Sequence, residues 1–171
     1  MNGTEAGTAL AGIVVGVDGS PLSVEALRWA ARLEPVVGGP ITAATVWQFP
    51  VAGAGTSYSR LDWDAEGDAR GILEQAVEDA YGGSRPAGLT TLVASGPAAH
   101  TLIENSRNAR LLIVGSRGIG GFMGLLLGSV SGACAEHAHC PVLVLHPSGD
   151  SGAASAADAG KATTPAGSTD A

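Results

Sequence analysis

Apolar positions along the chain follow two different patterns. Short, nearly continuous apolar runs, rich in β-branched residues, are typical of strands that are buried on both faces of a sheet. Longer segments place apolar residues three or four positions apart, as amphipathic helices do. The runs predict strands over residues 13–17, 41–47, 89–94, 111–114 and 142–145, and the longer segments predict helices over residues 21–34, 64–81, 98–106 and 129–137.

Residues that favour helix ends support these boundaries. Ser20 and Pro21 suit the N-cap and the first position of the first helix, and Glu34-Pro35 and Gly38-Gly39-Pro40 are predicted to close it. Ser129 is predicted to be the N-cap of the fourth helix. Strands alternate with helices throughout, which predicts the α/β class: a doubly wound, Rossmann-like parallel sheet with helices on both faces.

The cleft of such a sheet is predicted at the carboxyl ends of the strands, where the strand order reverses. Asp18 follows the first predicted strand, and Gly115 follows the fourth. If these two strands are neighbours, the two loops face one cleft.

The 171 residues are predicted to form one domain with two flanking segments. Residues 1–10 are small, polar and unpatterned, which predicts a flexible lead. Residues 11–147 form the folded domain. Residues 148–171 consist mainly of Ala, Gly, Ser, Thr and Asp, with no large apolar side chain, which predicts a disordered tail.

Composition and charge argue against two classes of partner, nucleic acids and membranes. The net charge of −7 argues against nucleic acid, whose binding proteins usually carry a basic stripe. No apolar run approaches the roughly 18 residues that span a bilayer, and no secretion signal is evident, so no membrane partner and a cytoplasmic location are the expectation. Cys134 and Cys140 match no zinc or redox spacing, and the histidines form no metal-ligand motif, so no protein metal site is predicted.

The glycine-rich segment 115–129 is the strongest candidate for chemistry. It lies between a predicted strand and a predicted helix, where bare backbone N–H groups can face an anion. A Walker A loop requires a lysine before its serine, but the only lysine is Lys161. A dinucleotide fingerprint starting at Gly118 and Gly120 fails, because Met123 stands where its third glycine belongs.

The remaining spacing, Gly115-x2-Gly118-x9-Gly128-Ser129, resembles the nucleotide motif of the universal stress protein family in its ATP-binding, UspA-like branch. Segments 14–20, 96–98 and 137–142 are also similar to that family, and the resemblance spans residues 12–146. It implies the adenine nucleotide alpha hydrolase-like fold, with a five-stranded sheet of order 3-2-1-4-5, and ATP as the ligand.

The resemblance also implies roles for individual residues. Asp18 would contact the ribose or phosphate region, and the backbone of Val46 would meet the adenine edge. Val114 and Gly115 would flank ribose and adenine, with Arg117 and Gly118 beside the nucleotide. The phosphates, accompanied by Mg²⁺ or Mn²⁺, would lie at the start of the fourth helix. The full predicted binding set is Gly16, Asp18, Val46, Val114, Gly115, Arg117, Gly118, Gly128, Ser129 and Val130.

No catalytic residue is predicted, and hydrolysis of ATP is expected to be slow or absent. The chain offers no lysine to reach the phosphates and no clear general base, whereas fast phosphoryl transfer needs positioned cations and a water-orienting group. With this expectation, the resemblance implies a protein for nucleotide-dependent regulation in a stress response.

Three alternatives stay open from the sequence. One is a module that binds AMP or cyclic AMP. Another is an enzyme of the wider ATP-pyrophosphatase or adenylyl-transferase architecture, which needs a Ser-Gly-rich loop after the first strand or a histidine pair in the first helix. The third is a ligand-free interaction module, against which the intact glycine motif argues. Residues 142–145 form an apolar edge strand, which predicts a homodimer by strand addition.

Overall fold

The computed structural model describes residues 12–48, 64–119 and 126–147. The predicted lead 1–10 and tail 148–171 lie outside the described residues, as does most of the segment between the second strand and the second helix. The described elements, in chain order, are β1 (Ile13–Gly16), α1 (Pro21–Val37), β2 (Ile41–Trp47), α2 (Ala65–Tyr81), β3 (Leu89–Ser95), α3 (Ala98–Asn105), β4 (Leu111–Gly115), α4 (Ser129–His137) and β5 (Val142–Leu145).

The five strands form one sheet in the order β3-β2-β1-β4-β5, and every neighbouring pair is parallel. This confirms the predicted α/β class and the order 3-2-1-4-5. In the register, Ile13 lies beside Ile41 on one side and beside Leu111 on the other. Because β1 and β4 are neighbours, the loops that follow them leave the same edge of the sheet at the point where the strand order reverses.

Two hydrophobic clusters bury the two faces of the sheet. Ile13, Val15 and Ile113 pack with residues of α1 and α2 on one face. Val14 and Leu112 pack with residues of α3 and α4 on the other. Successive side chains of a strand point to opposite faces, so a strand covered on both sides must be apolar at every position. Burial of each such side chain contributes about 1.5–3 kcal/mol relative to exposure.

Helix α1 begins as the sequence predicts and ends at the second of its two predicted closing segments. Ser20 is its N-cap, and the Ser20 hydroxyl accepts a hydrogen bond from the Ser23 N–H at 3.3 Å. Of the two predicted closing segments, Glu34-Pro35 is wrong, because the helix continues through Pro35 to Val37. Proline in the last turn loses a single backbone bond and keeps a helical φ. The other segment is confirmed: Gly38, with a φ of 75°, ends the helix, and its N–H donates to Glu34 O at 2.8 Å.

Arg110, which directly precedes β4, also stabilises the C-terminus of α1. Its guanidinium donates to the Val37 carbonyl oxygen at 2.9 Å. A cation at a helix C-terminus interacts favourably with the helix dipole. This contact gives Arg110 a structural role at the edge of the sheet opposite the predicted cleft.

Tyr81 joins α2 to α1. Its hydroxyl donates to Leu27 O at 2.5 Å, and burial raises the pKa of Tyr81 to about 12. We expect Tyr81→Phe to lower the free energy of unfolding by about 1 kcal/mol at neutral pH, the usual net value of a hydrogen bond.

The pH dependence provides the check on Tyr81. The folded-state pKa is raised, so the contribution of Tyr81 is full below the ordinary pKa near 10 and is lost as the pH rises towards 12. Urea denaturation of the wild type and of Tyr81→Phe at about pH 8 and about pH 11 should therefore show a smaller difference in the free energy of unfolding at the higher pH. An unchanged difference would show that the folded environment leaves the titration of Tyr81 unaffected.

The two cysteines are free thiols within the second cluster. Cys134 is fully buried and Cys140 packs against the same group. Burial raises the pKa of Cys134 to about 11 and also raises the pKa of Cys140. A raised pKa keeps a thiol protonated and unreactive, which supports a structural role for both residues.

Candidate functional site

A cavity of about 420 Å³ opens at the carboxyl edge of the sheet, between the loops that follow β1 and β4. Its volume lies within the range of about 300–1,000 Å³ that is usual for small-molecule sites. The structure brings all ten residues of the predicted binding set to its lining: Gly16, Asp18, Val46, Val114, Gly115, Arg117, Gly118, Gly128, Ser129 and Val130.

One wall of the cavity is apolar. Ala44 and Val46 of β2, Val114 of β4 and Leu102 of α3 form this wall. Ala44, Leu102 and Val114 belong at the same time to the buried cluster under α3 and α4, where they are 2%, 4% and 3% exposed. Because these side chains are packed on their other sides, the wall is held in place without a ligand. A flat apolar group of a ligand fits against such a wall.

The N-terminus of α4 forms another part of the lining, and here one prediction is wrong. Gly128, with φ −74° and ψ 169°, is the N-cap, and Ser129 is the first helical residue. The Gly128 N–H donates to Ser116 O at 2.7 Å, which fixes the helix start against the end of β4. A glycine is accepted as N-cap almost as readily as serine. The Ser129 hydroxyl is therefore not used as a cap.

The first turn of α4 keeps its backbone donors free of described partners. Its first helical hydrogen bond is donated by the Gly132 N–H to Gly128 O at 2.9 Å, and no side chain in the described part of the chain caps the turn. In α1 and α2 the side chains of Ser20 and Asp64 accept from the first turn. The N–H groups of Ser129, Val130 and Ser131 are left for another acceptor, and they carry the positive end of the helix dipole.

Ser131 braces this helix start and is a residue that the sequence analysis missed. Its hydroxyl is buried and lies 2.7 Å from Ser116 O and 3.1 Å from Gly128 O, so its single hydrogen is shared between two carbonyls. No motif marks this position, because a serine in the first turn of a helix is common. The other lining residues that the sequence analysis did not select are Val17, Ser20, Ser23, Ala44, Ala98, Leu102 and Ile119.

Asp18 connects the two loops that flank the cavity. Its Oδ1 accepts from the Ser20 N–H at 3.0 Å and from the Ser20 hydroxyl at 2.6 Å. Its Oδ2 accepts from the Ile119 N–H at 2.9 Å. Both carboxylate oxygens are thus used inside the protein, one by each loop.

Arg117 is the other charged residue that lines the cavity within the described part of the chain. The residue is half-buried, and its guanidinium makes no hydrogen bond or ion pair with any described residue. The Asp18 carboxylate is already engaged, so the guanidinium and the free N–H groups of α4 favour an anionic ligand. Among the described residues no group of histidine, cysteine or acidic side chains is arranged to hold a metal ion.

Fold and cavity together define the class: an α/β protein with a site at the topological switch point of a parallel sheet. The model of the Universal stress protein family matches residues 12–146. A universal stress protein of Mycobacterium tuberculosis is 34% identical over 151 residues, which cover 82% of this chain and 49% of the relative. This chain belongs to the universal stress protein family.

Solved structures agree on the fold. The universal stress protein UspA from Lactobacillus plantarum superposes with a TM-score of 0.62 at 19% identity, covering 81% of this chain and 99% of that chain. A universal stress protein in complex with cAMP gives a TM-score of 0.58 at 25% identity, covering 81% and 98%. The chain spans about half the length of the curated relatives it matches. Every helix in the described residues is too short or too polar to cross a membrane.

Proposed function

We propose that this chain binds ATP in the cavity at the switch point, and that the bound nucleotide acts as a signal or as a structural ligand in a stress response. The observation that carries the proposal is the pairing of a preformed apolar wall with the uncapped N-terminus of α4 across one cavity. An adenine ring and a phosphate chain need these two surfaces, one apolar and one rich in N–H donors.

The proposed placement follows the chemistry of the walls. Adenine lies against Val46 and Val114, with the Val46 backbone meeting its edge, and ribose lies near Gly16 and Gly115. The phosphates lie at Gly128, Ser129 and Val130, where each contact with the helix dipole contributes roughly 0.3–1 kcal/mol. Arg117 and Gly118 lie beside the phosphates. A Mg²⁺ or Mn²⁺ ion accompanies the nucleotide and is coordinated mainly by phosphate oxygens and water.

Slow or absent hydrolysis is part of the proposal. Of the two charged residues that line the described cavity, Arg117 is a cation, and the Asp18 carboxylate already accepts three hydrogen bonds, which use three of its roughly four acceptor sites. A general base needs a free acceptor within hydrogen-bond reach of the attacking water. These residues bind and orient a nucleotide better than they activate water.

A second candidate is a module for AMP or cyclic AMP. The solved universal stress protein in complex with cAMP, at 25% identity to this chain, favours it. The two candidates share the apolar wall and differ in how many phosphates α4 and Arg117 meet. They are therefore distinguished by comparing affinities, not by whether a nucleotide binds at all.

Native mass spectrometry of the purified protein tests the proposal, because it reports which nucleotide comes with the protein. Calorimetry with ATP, AMP and cAMP then ranks the affinities. Tightest binding of ATP supports the proposal, and tighter binding of AMP or cAMP supports the second candidate. If none of the three binds, the assignment of an adenine nucleotide to this cavity is wrong.

We also propose that β5 (Val142–Leu145) pairs with its copy in a homodimer. It is an edge strand, and all four of its side chains are half-buried in the monomer. The carbonyl oxygens of Pro141 and Leu145 accept from β4. The period of two along a strand therefore turns the N–H and carbonyl of Val144 outward, free for pairing across a two-fold axis.

Val144→Pro tests this edge. The substitution removes the outward N–H and should raise the dimer dissociation constant at least about tenfold, or about 1.4 kcal/mol, while Val144→Ala keeps the N–H and serves as the control. Light scattering coupled to gel filtration measures the effect. A monomeric wild-type protein at micromolar concentration would rule out the homodimer.

Two further predictions accompany this function. One is the division into a lead (1–10), a domain (11–147) and a tail (148–171), which limited proteolysis with mass analysis of the resistant core tests. The other is a cytoplasmic location, which fractionation of the producing cells tests.

A further inference from the structure

We propose that Asp18 is a positioning residue that fastens the glycine loop to the N-cap of α1, and that Gly118 is a glycine because the Asp18 carboxylate occupies the space of its side chain. The effect on ligand affinity rests on the proposed nucleotide binding. The contact itself is a property of the protein without ligand and is tested separately.

The hydrogen bonds of Asp18 reach across the cleft. Oδ1 accepts twice from Ser20, in the loop after β1, and Oδ2 accepts from the Ile119 N–H, in the loop after β4. Hydrogen bonds to a carboxylate are roughly twice as strong as those between neutral groups. One side chain thus holds together the two loops that flank the cavity.

The loop from Ser116 to Ile119 is consequently held at both ends. At its start, Ser116 O accepts from the Gly128 N–H and lies 2.7 Å from the Ser131 hydroxyl. At its other end, Ile119 is held by Asp18. Arg117 and Gly118 lie between these two points. If the Asp18 contact is removed, the described hydrogen bonds that remain on residues 116–119 are all made by Ser116.

The space around the three motif glycines assigns each a different role. A Cβ at Gly115 would lie 2.8 Å from Leu22 Cβ, so a glycine at this position lets α1 pack close to the end of β4. A Cβ at Gly118 would overlap Asp18 Oδ2. A Cβ at Gly128 would lie 3.4 Å from Ser116 O, which is an ordinary contact. Of the three glycines, only Gly128 has room for a side chain among the described atoms of the protein itself.

Backbone conformation does not explain the glycine at 118. The described glycines with a positive φ do not include Gly118. An alanine at 118 is therefore excluded by the carboxylate and not by the main chain. Since a carboxylate at the end of a side chain is able to swing away, the expected cost of Gly118→Ala is the loss of the three hydrogen bonds of Asp18.

A double-mutant cycle on the protein without nucleotide tests the contact. Gly118→Ala is expected to lower the melting temperature by about 3 °C in the wild-type background and to have almost no effect in the Asp18→Ala background. Gly71→Ala is the control, because a Cβ there meets nothing within 4 Å, and it should have the same small effect in both backgrounds.

Hydrogen exchange of the Ile119 amide should speed up about tenfold in Gly118→Ala and in Asp18→Ala. Equal costs of Gly118→Ala in the two backgrounds, or unchanged exchange, would overturn the proposal.

Nucleotide affinity separates positioning from direct contact. Asp18→Ala and Gly118→Ala should each weaken ATP binding about tenfold, and the double variant no more than either alone. The ratio of affinities for ATP and its 2′-deoxy and 3′-deoxy analogues should be the same in wild type and Asp18→Ala. A ratio that changes would show that Asp18 touches ribose, and would overturn its assignment as a positioning residue. If the wild type binds no nucleotide, the proposed function fails while the melting and exchange results still decide whether the contact exists.

Discussion

Gly128→Val is expected to weaken ATP binding at least about 30-fold, or about 2 kcal/mol, while the folded structure persists. Gly128 has φ −74° and ψ 169°, values that a β-branched residue adopts readily. A Cβ at this position has room, but Gly128 lines the cavity beside Ser129 and Val130, so we expect the valine methyl groups to take up space where the phosphates are proposed to lie. The free energy of unfolding should change by no more than about 1 kcal/mol, the cost of a poorer N-cap.

Two variants serve as controls for this prediction. Gly128→Ala adds one carbon at the same place and should have an intermediate effect on affinity. Gly132→Ala lies one turn further along α4, outside the cavity lining, where a Cβ meets nothing within 4 Å, and it should leave affinity unchanged. Calorimetry measures all three. If both Gly118→Ala and Gly128→Val bind ATP as the wild type does, the site assignment is wrong.

The sequence predicted the elements of the fold because each one depends on local chemistry. A strand such as β4 must be apolar at every position once both faces are covered, and Ile113 and Leu112 do enter opposite clusters. Strand order is different, because pairing of β1 with β4 joins residues about a hundred positions apart. No local pattern encodes that choice, and the order was available only through the resemblance to a family.

The errors at the helix ends have a common cause. Pro35 and Ser129 were assigned from residue preferences, which describe what a position tolerates on average. In the structure, Gly38 and Arg110 settle the end of α1, and the hydrogen bond between Gly128 and Ser116 settles the start of α4. At the start of α4 a contact between distant residues overrode the local preference, and at the end of α1 the positive φ of Gly38 and the distant contact of Arg110 prevailed over the preference of Pro35.

The part of the candidate site that is a sequence motif could be predicted. The apolar wall, which forms only when distant elements pack together, could not. The glycine loop has a spacing that can be recognised, whereas Ala44 and Leu102 are ordinary apolar residues of β2 and α3. Whether such a residue lines a cavity depends on how two helices sit on the sheet. The Asp18 contact was hidden for the same reason, since its partner Ile119 lies 101 positions away.

Ile113→Ala and Val114→Ala are expected to separate stability from binding. Both residues are in β4, at 0% and 3% exposure, but Ile113 faces α1 and α2 while Val114 lines the cavity. Ile113→Ala should lower the free energy of unfolding by about 3–4 kcal/mol, through lost burial and the space left behind. It should change ATP affinity less than about twofold, or about 0.4 kcal/mol. Val114→Ala should lower stability by about 2 kcal/mol and weaken ATP binding about fivefold, or about 1 kcal/mol.

Denaturant unfolding without nucleotide and calorimetry with ATP measure the two effects independently. A ligand that binds only the folded state stabilises it by RT ln(1 + [L]/Kd), so the stabilisation depends on affinity and not on intrinsic stability. Saturating ATP should therefore raise the unfolding free energy of Ile113→Ala by the same amount as in the wild type, and that of Val114→Ala by less. Equal loss of affinity in both variants would contradict a wall that is fixed by packing, because it would mean that damage on the α1 face of β4 reaches the cavity. In that case the cavity would be shaped by the whole sheet, and the apolar wall would not by itself account for recognition of adenine.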